Sequence, residues 1–150
     1  MIKINDLEIT IRNYLNRLIS RYFGIKEIWL FGSRANNWIH EKSDWDFIVK
    51  SDKATFEPLK IDTELKNDAD RLMIKFLVGP DKNGDFQNPW EKAKLNFGKD
   101  SLNWREIGSG LAEYEACDLD LSEEEAKAKG LAEGISSFRA PYAKAYRVWP

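Results

Sequence analysis

The chain has 150 residues, 43% of them hydrophobic and 32% charged, with a net charge of −2 from 23 basic and 25 acidic side chains. That is about one domain's worth of chain, enough to bury a core, and the near balance of charge excludes a global basic field that would gather nucleic acid. The lone Cys117 excludes an internal disulfide, and no apolar run approaches membrane-spanning length. Asp6 and Glu8 interrupt the N-terminal segment, which therefore lacks signal-peptide shape. With the free thiol, this leads us to expect a cytoplasmic protein without a membrane partner.

In chain order, Asn5 or Asp6 can cap a helix over 7–22, with Leu7, Ile11, Tyr14, Leu15, Leu18 and Tyr22 as its buried stripe. Residues 25–31 are short, apolar and aromatic between Gly24 and Gly32, which predicts a buried strand. Gly32-Ser33 turns the chain, residues 34–38 can make one helical turn, and residues 40–43 are polar loop, where His40 is expected to be exposed. Residues 44–50 form a second strand, whose alternation puts Asp44, Asp46 and Ile48 on one face and Trp45, Phe47 and Val49 on the other. Thr55 can cap a helix to about Ala69, with Phe56, Leu59, Leu65 and Ala69 facing inward and Pro58 in the first turn. Residues 72–78 form a third strand, and 81–85 are a strong turn signal.

Beyond Gly84 the composition changes. Helical pieces are expected near 89–96 and 102–116, and the Ser122-to-Glu125 capping box should open a helix through Glu133. Residues 138–149, rich in aromatic and basic side chains, read as a strand or an ordered arm. We divide the chain into a core, 1–84, and a C-terminal elaboration, 85–150, packed on the same domain.

The stretch from Ile28 to Lys50 carries the chemistry. Two carboxylates at i and i+2 of a strand, Asp44 and Asp46, point the same way and call for a cation. A hard divalent ion such as Mg²⁺ takes such oxygen ligands and completes its shell with water and phosphate. Ten residues earlier, Gly32 permits close backbone approach. Its amide, the Ser33 amide and the Ser33 hydroxyl suit phosphate oxygens, with Arg34 adding a charge-assisted contact. Together these parts describe a nucleoside triphosphate held on metal.

This arrangement resembles the minimal members of the DNA polymerase β type nucleotidyltransferase superfamily, whose signature is Gly-Ser, ten residues, then Asp-any-Asp. The likeness covers about Leu7 to Val78. It implies an α+β fold: a small mixed sheet with helices packed on one side, here extended by a mostly helical C-terminal elaboration. It implies transfer of a nucleoside monophosphate from an NTP to a hydroxyl with release of pyrophosphate; AMP from ATP is the favoured case. Asp44 and Asp46 would hold Mg²⁺, and Gly32, Ser33 and Arg34 the nucleotide. The acceptor could be a protein side chain, an RNA 3′ end or a small molecule. A toxin partner of an antitoxin-type adenylyltransferase is the preferred setting, and nucleic acid is not favoured.

One part of the pattern is missing. By the same resemblance, active relatives carry a third carboxylate on the third strand, which helps deprotonate the attacking hydroxyl and bridges two metal ions; here the charged residue inside that strand is Lys75. Three readings stay open: Asp62 supplies the group from a strand, Asp81 or Asp85 reaches back from the turn, or the domain is degenerate and binds without transferring.

Overall fold

The computed structural model describes residues 2–91, 94–96, 103–118 and 121–150. One eight-stranded sheet organises them, in the order β5-β4-β3-β2-β1-β8-β7-β6. Its central strands are β1 (Ile25–Phe31), β2 (Trp45–Ser51) and β3 (Ile74–Gly79). β1 and β2 are antiparallel, whereas β2 and β3 are parallel, so the sheet is mixed. A parallel neighbour needs a crossover, and α2 (Phe56–Lys60) with α3 (Thr63–Leu72) provides it.

α1 (Ile9–Arg21) and α3 cover one face. Ile11, Leu15 and Leu18 meet Leu65 and Ala69, over Phe47, Val49, Phe76 and Val78 of the sheet. The period-3.6 and period-2 stripes thus interlock, as burial of one face by each element requires. Arg17 and Arg21 of α1 pair with Asp68 of α3 and with Asp62, which caps it, at the rim. α1 begins later than the sequence predicts. Asp6 caps a short 3-10 turn at Ile4–Asp6 by accepting the Lys3 amide, leaving Glu8 at the helix start without a side-chain cap.

The helix expected over 55–69 is broken in two. Asp62 leaves helical geometry and accepts the Leu65 amide at 3.1 Å, starting α3 afresh. Short polar side chains compete with the helix backbone in this way. Ile61, at the break, is 78% exposed, which is why the apolar stripe did not mark it.

The mostly helical C-terminal elaboration is corrected outright. β4 (Asp85–Gln87) and β5 (Lys94–Asn96) extend one edge of the sheet. β6 (Arg105–Gly108), β7 (Leu111–Asp118) and β8 (Phe138–Trp149) extend the other. The helix expected near 102–116 is therefore two strands, with Leu102 outside the described residues. The helix after Ser122 forms with its capping box but ends early, as α4 (Glu123–Ala128). Gly130, at a φ of 72°, follows it.

The second sheet face has its own core, in which Trp29, Ile48 and Phe86 meet Ala112, Tyr114, Ala143 and Ala145. Small alanines on β7 and β8 let the hairpin lie close. The sheet curls so far that Lys50 of β2 pairs with Glu106 of β6 at 3.5 Å, though three strands separate them. Among the described residues no helix is long and apolar enough to cross a membrane.

Candidate functional site

The Gly-Ser turn sits at the C-terminal end of β1, directly beside the start of β2, because Phe31 pairs with Asp46. Gly32 has a φ of 76°, which disfavours side chains. A methyl group there would stand 2.4 Å from Asp46 Oδ2. Glycine is thus required twice, by backbone conformation and by the approach of the carboxylate. A 3-10 turn, Ser33–Ala35, follows, and Ser33 C=O accepts the amides of Asn36 and Trp38.

Gly32, Ser33, Asp44 and Asp46 line one cavity of about 770 Å³. Asp46 lies on the Ile48 side of β2, with the second core, while Trp45 packs on the helix side. Burial, with the charges of Asp44 and Asp118 adding to it, pushes the Asp46 carboxyl up to about 7. Burial also raises Asp44, against the pull of Lys75. A carboxylate pair held this way carries a standing demand for positive charge.

Asp44, in the loop just before β2 rather than on the strand, and Asp46, near the start of β2, offer two hard oxygen ligands that could hold a divalent cation drawing its other ligands from water and phosphate. Gly32, with no Cβ, leaves the approach to Asp46 open. Among the described residues, no group of three or more His, Cys, Asp or Glu side chains forms a metal cage.

Arg34 points elsewhere. Its guanidinium lies 4.4 Å from the Trp45 ring centroid and donates to Ser43 C=O at 3.0 Å. Ser43 is buried and its hydroxyl accepts the His40 amide at 2.9 Å. Arg34 thereby braces the loop that delivers Asp44. His40 is half-buried rather than exposed; it lines the cavity, and Glu124 is 3.9 Å away.

The third-strand position falls where the spacing placed it. Lys75 pairs in register with Asp46 and forms an ion pair with Glu91 at 2.6 Å. Asp62 instead caps α3 and accepts hydrogen bonds from Arg21 and Tyr22. Asp81 accepts the amides of Asn83 and Asp85 in the turn beyond β3. None of Asp62, Asp81 and Asp85 lines the cavity.

The far wall comes from residues the motif did not mark. Tyr114 of β7 accepts the Gly32 N–H at 2.8 Å, and burial raises its phenol well above the usual range. Asp118, at the end of β7, faces the cavity with its carboxylate 3.8 Å from Lys129. Lys129 follows α4, and its ammonium is 5.4 Å from the centroids of both Trp38 and Phe138. A signal was present in Leu-Ala-Glu-Tyr-Glu-Ala: Ala112, Tyr114 and Ala116 alternate with Glu113 and Glu115, the period of a strand.

Asn36 sews the two walls together. Its side chain donates to Gly32 C=O at 2.8 Å and Lys144 C=O at 3.0 Å, and accepts the Lys144 amide at 2.7 Å.

A model of the polymerase beta nucleotidyltransferase family matches residues 13–97, more than half of the chain, and the chain belongs to that family. A stretch of 81 residues, 52% of the chain, is 32% identical to a protein named AAA-ATPase from Arabidopsis thaliana. The chain spans only 16% of that protein's length. No solved structure matches the chain.

Proposed function

We propose that the protein transfers a nucleoside monophosphate from a nucleoside triphosphate to a hydroxyl group, with Mg²⁺ held by Asp44 and Asp46. The observation that carries this reading is the contact between Gly32 and Asp46, which a single methyl group would destroy. It joins a turn suited to phosphate and a carboxylate pair suited to metal in one cavity. The cation would screen the triphosphate and favour charge development on the leaving group. Gly32 N–H is already donated to Tyr114, so the Ser33 amide and hydroxyl are the groups that meet phosphate. Arg34 serves by holding Ser43 and the adjoining Asp44 rather than by reaching the nucleotide.

ATP as donor, and an antitoxin-type setting with a protein acceptor, rest on the resemblance to minimal nucleotidyltransferases. The test is incubation of the full chain with α-labelled ATP, Mg²⁺ and candidate hydroxyl acceptors. Label transfer with pyrophosphate release is expected, falling at least about 10³-fold in Asp44→Ala and Asp46→Ala if the ion supplies several kcal/mol of transition-state stabilisation. Transfer that persists in both variants, or no transfer by the wild type, would sink the reading.

A second reading is favoured by Lys75, whose place beside Asp46 puts a cation where active relatives have an acid. On that reading the domain binds a nucleotide without transferring it. Calorimetry with ATP separates the two in part, since Mg²⁺-independent binding belongs to the second alone.

A further inference from the structure

The missing base has a candidate outside the family-matched segment. An acceptor hydroxyl must lose its proton as it attacks phosphorus, and a positioned carboxylate is a common recipient. Asp44 and Asp46 are committed to the cation in the reading above, and Lys75 fills the place beside Asp46. On the opposite wall, Glu125 is bound into the cap of α4, Glu124 faces His40 at 3.9 Å, and Glu123 is exposed without a buried cation among the described residues to hold it.

Among the carboxylates that line the cavity Asp118 remains, and it is held. Lys129 stands 3.8 Å from it, with a side chain only 7% exposed. An ammonium that deep is costly unless it has a counter-charge. Trp38 and Phe138, in edge-to-face contact at 4.9 Å, fix the ammonium by their ring faces. The Asp118 side chain itself is 47% exposed and lines the cavity, open to an incoming group. Its charge reaches Asp46 and adds to the rise in that carboxyl. Yet no three-carboxylate metal cage forms among the described residues, which sets Asp118 apart from the ligand pair.

We propose that Asp118, delivered by the β7–β8 hairpin and held by Lys129, is the general base that takes the acceptor's proton, so that this hairpin forms the acceptor side of the site. The inference rests on the transferase reading. In the step, the acceptor oxygen bonds to the α-phosphorus and the bond from that phosphorus to the bridging oxygen breaks. Pyrophosphate leaves with the electron pair, and the acceptor's proton passes to an Asp118 oxygen and then to water. Lys129 positions Asp118.

The test compares wild type, Asp118→Asn, Asp118→Glu and Asp46→Asn as full chains with Mg²⁺. Turnover is read from α-labelled ATP with water, glycerol, tyrosine amide and a short RNA with a free 3′ hydroxyl as probes. Binding is read by calorimetry with the unreactive α,β-methylene analogue of ATP, which also reports folding. Asp118→Asn should lower turnover about 10²- to 10³-fold while the analogue's Kd stays within about twofold, and Asp118→Glu should recover part of the rate. Asp46→Asn should lose Mg²⁺-dependent binding as well. Turnover of Asp118→Asn within about threefold of wild type would overturn the base alone, leaving the transferase reading intact. Loss of analogue binding in Asp118→Asn to match Asp46→Asn would also overturn it, by making Asp118 part of the binding machinery. No transfer by wild type to any probe overturns both.

Discussion

The two walls of the cavity were built by different rules. The wall from β1, the Gly-Ser turn and β2 is local: residues 28–50 hold every part of it, and strand pairing alone brings Phe31 beside Asp46. The wall from β7, α4 and β8 is non-local: Tyr114 reaches Gly32 across 82 positions of sequence. The first wall needs particular residues at particular spacings, because phosphate and metal impose them. The second needs only that strands pair and that small residues let them lie close, a demand many sequences meet. Family membership is therefore visible in the first wall, while the groups on the second have no signature of their own.

The sharpest way to break this contrast is through the charge of Asp46. Burial holds its carboxyl up at about 7, above the ordinary 3.8. The folded, metal-free protein thus binds a proton there more tightly than the unfolded chain, so this group's stabilisation is present below about pH 4 and is lost as pH rises to about 7. At about 1.36 kcal/mol per pH unit the loss is on the order of 4 kcal/mol. Asp46→Asn should therefore melt well above wild type at pH 8 without Mg²⁺, and close to it at pH 4. Equal melting temperatures for the two at pH 8 would show that the first wall stores no such strain.

Gly32→Ala tests the same wall sterically. The positive φ and the 2.4 Å approach to Asp46 act together, and a loss of about 2–4 kcal/mol is expected from backbone strain plus displacement of the carboxylate. Denaturant unfolding measures it; a loss below about 1 kcal/mol would mean the carboxylate moves aside freely.

Asn36→Ala cuts the seam between the walls. Four hydrogen bonds go, the longest of them 3.4 Å to Tyr114 Oη, and two Lys144 backbone groups lose a partner. A cost of about 2–3 kcal/mol is expected, along with faster hydrogen exchange at the Lys144 amide but not at β2. Tyr114→Phe is the mildest test. It leaves the Gly32 N–H without its acceptor, for about 1–2 kcal/mol. If the hairpin matters to the site only as a wall, nucleotide affinity should stay unchanged in calorimetry.

Much of the first half was legible because local physics decides it. The β1 span, the alternation of β2 and the place of Lys75 on β3 all follow from periodicity and turn residues. The break at Asp62 was not, because Leu59 and Leu65 keep a helical stripe on either side of it and the capping bond is what divides them. The sequence of β7 reads as helix because its alanines and glutamates are strong helix formers. Pairing on both sides, to β6 and β8, overrides that preference.

By itself the sequence determined that a glycine turn and two carboxylates would meet, since a strand, a turn and a fixed spacing leave them no other place. Only the tertiary structure decided what stands opposite. Asp118, Lys129 and Tyr114 reach the cavity through curling of an eight-stranded sheet, and that curl depends on contacts between strands far apart in the chain. Arg34 shows the same division within the motif itself. Its position in sequence suits phosphate, but packing on Trp45 and the Ser43 carbonyl claim its side chain instead.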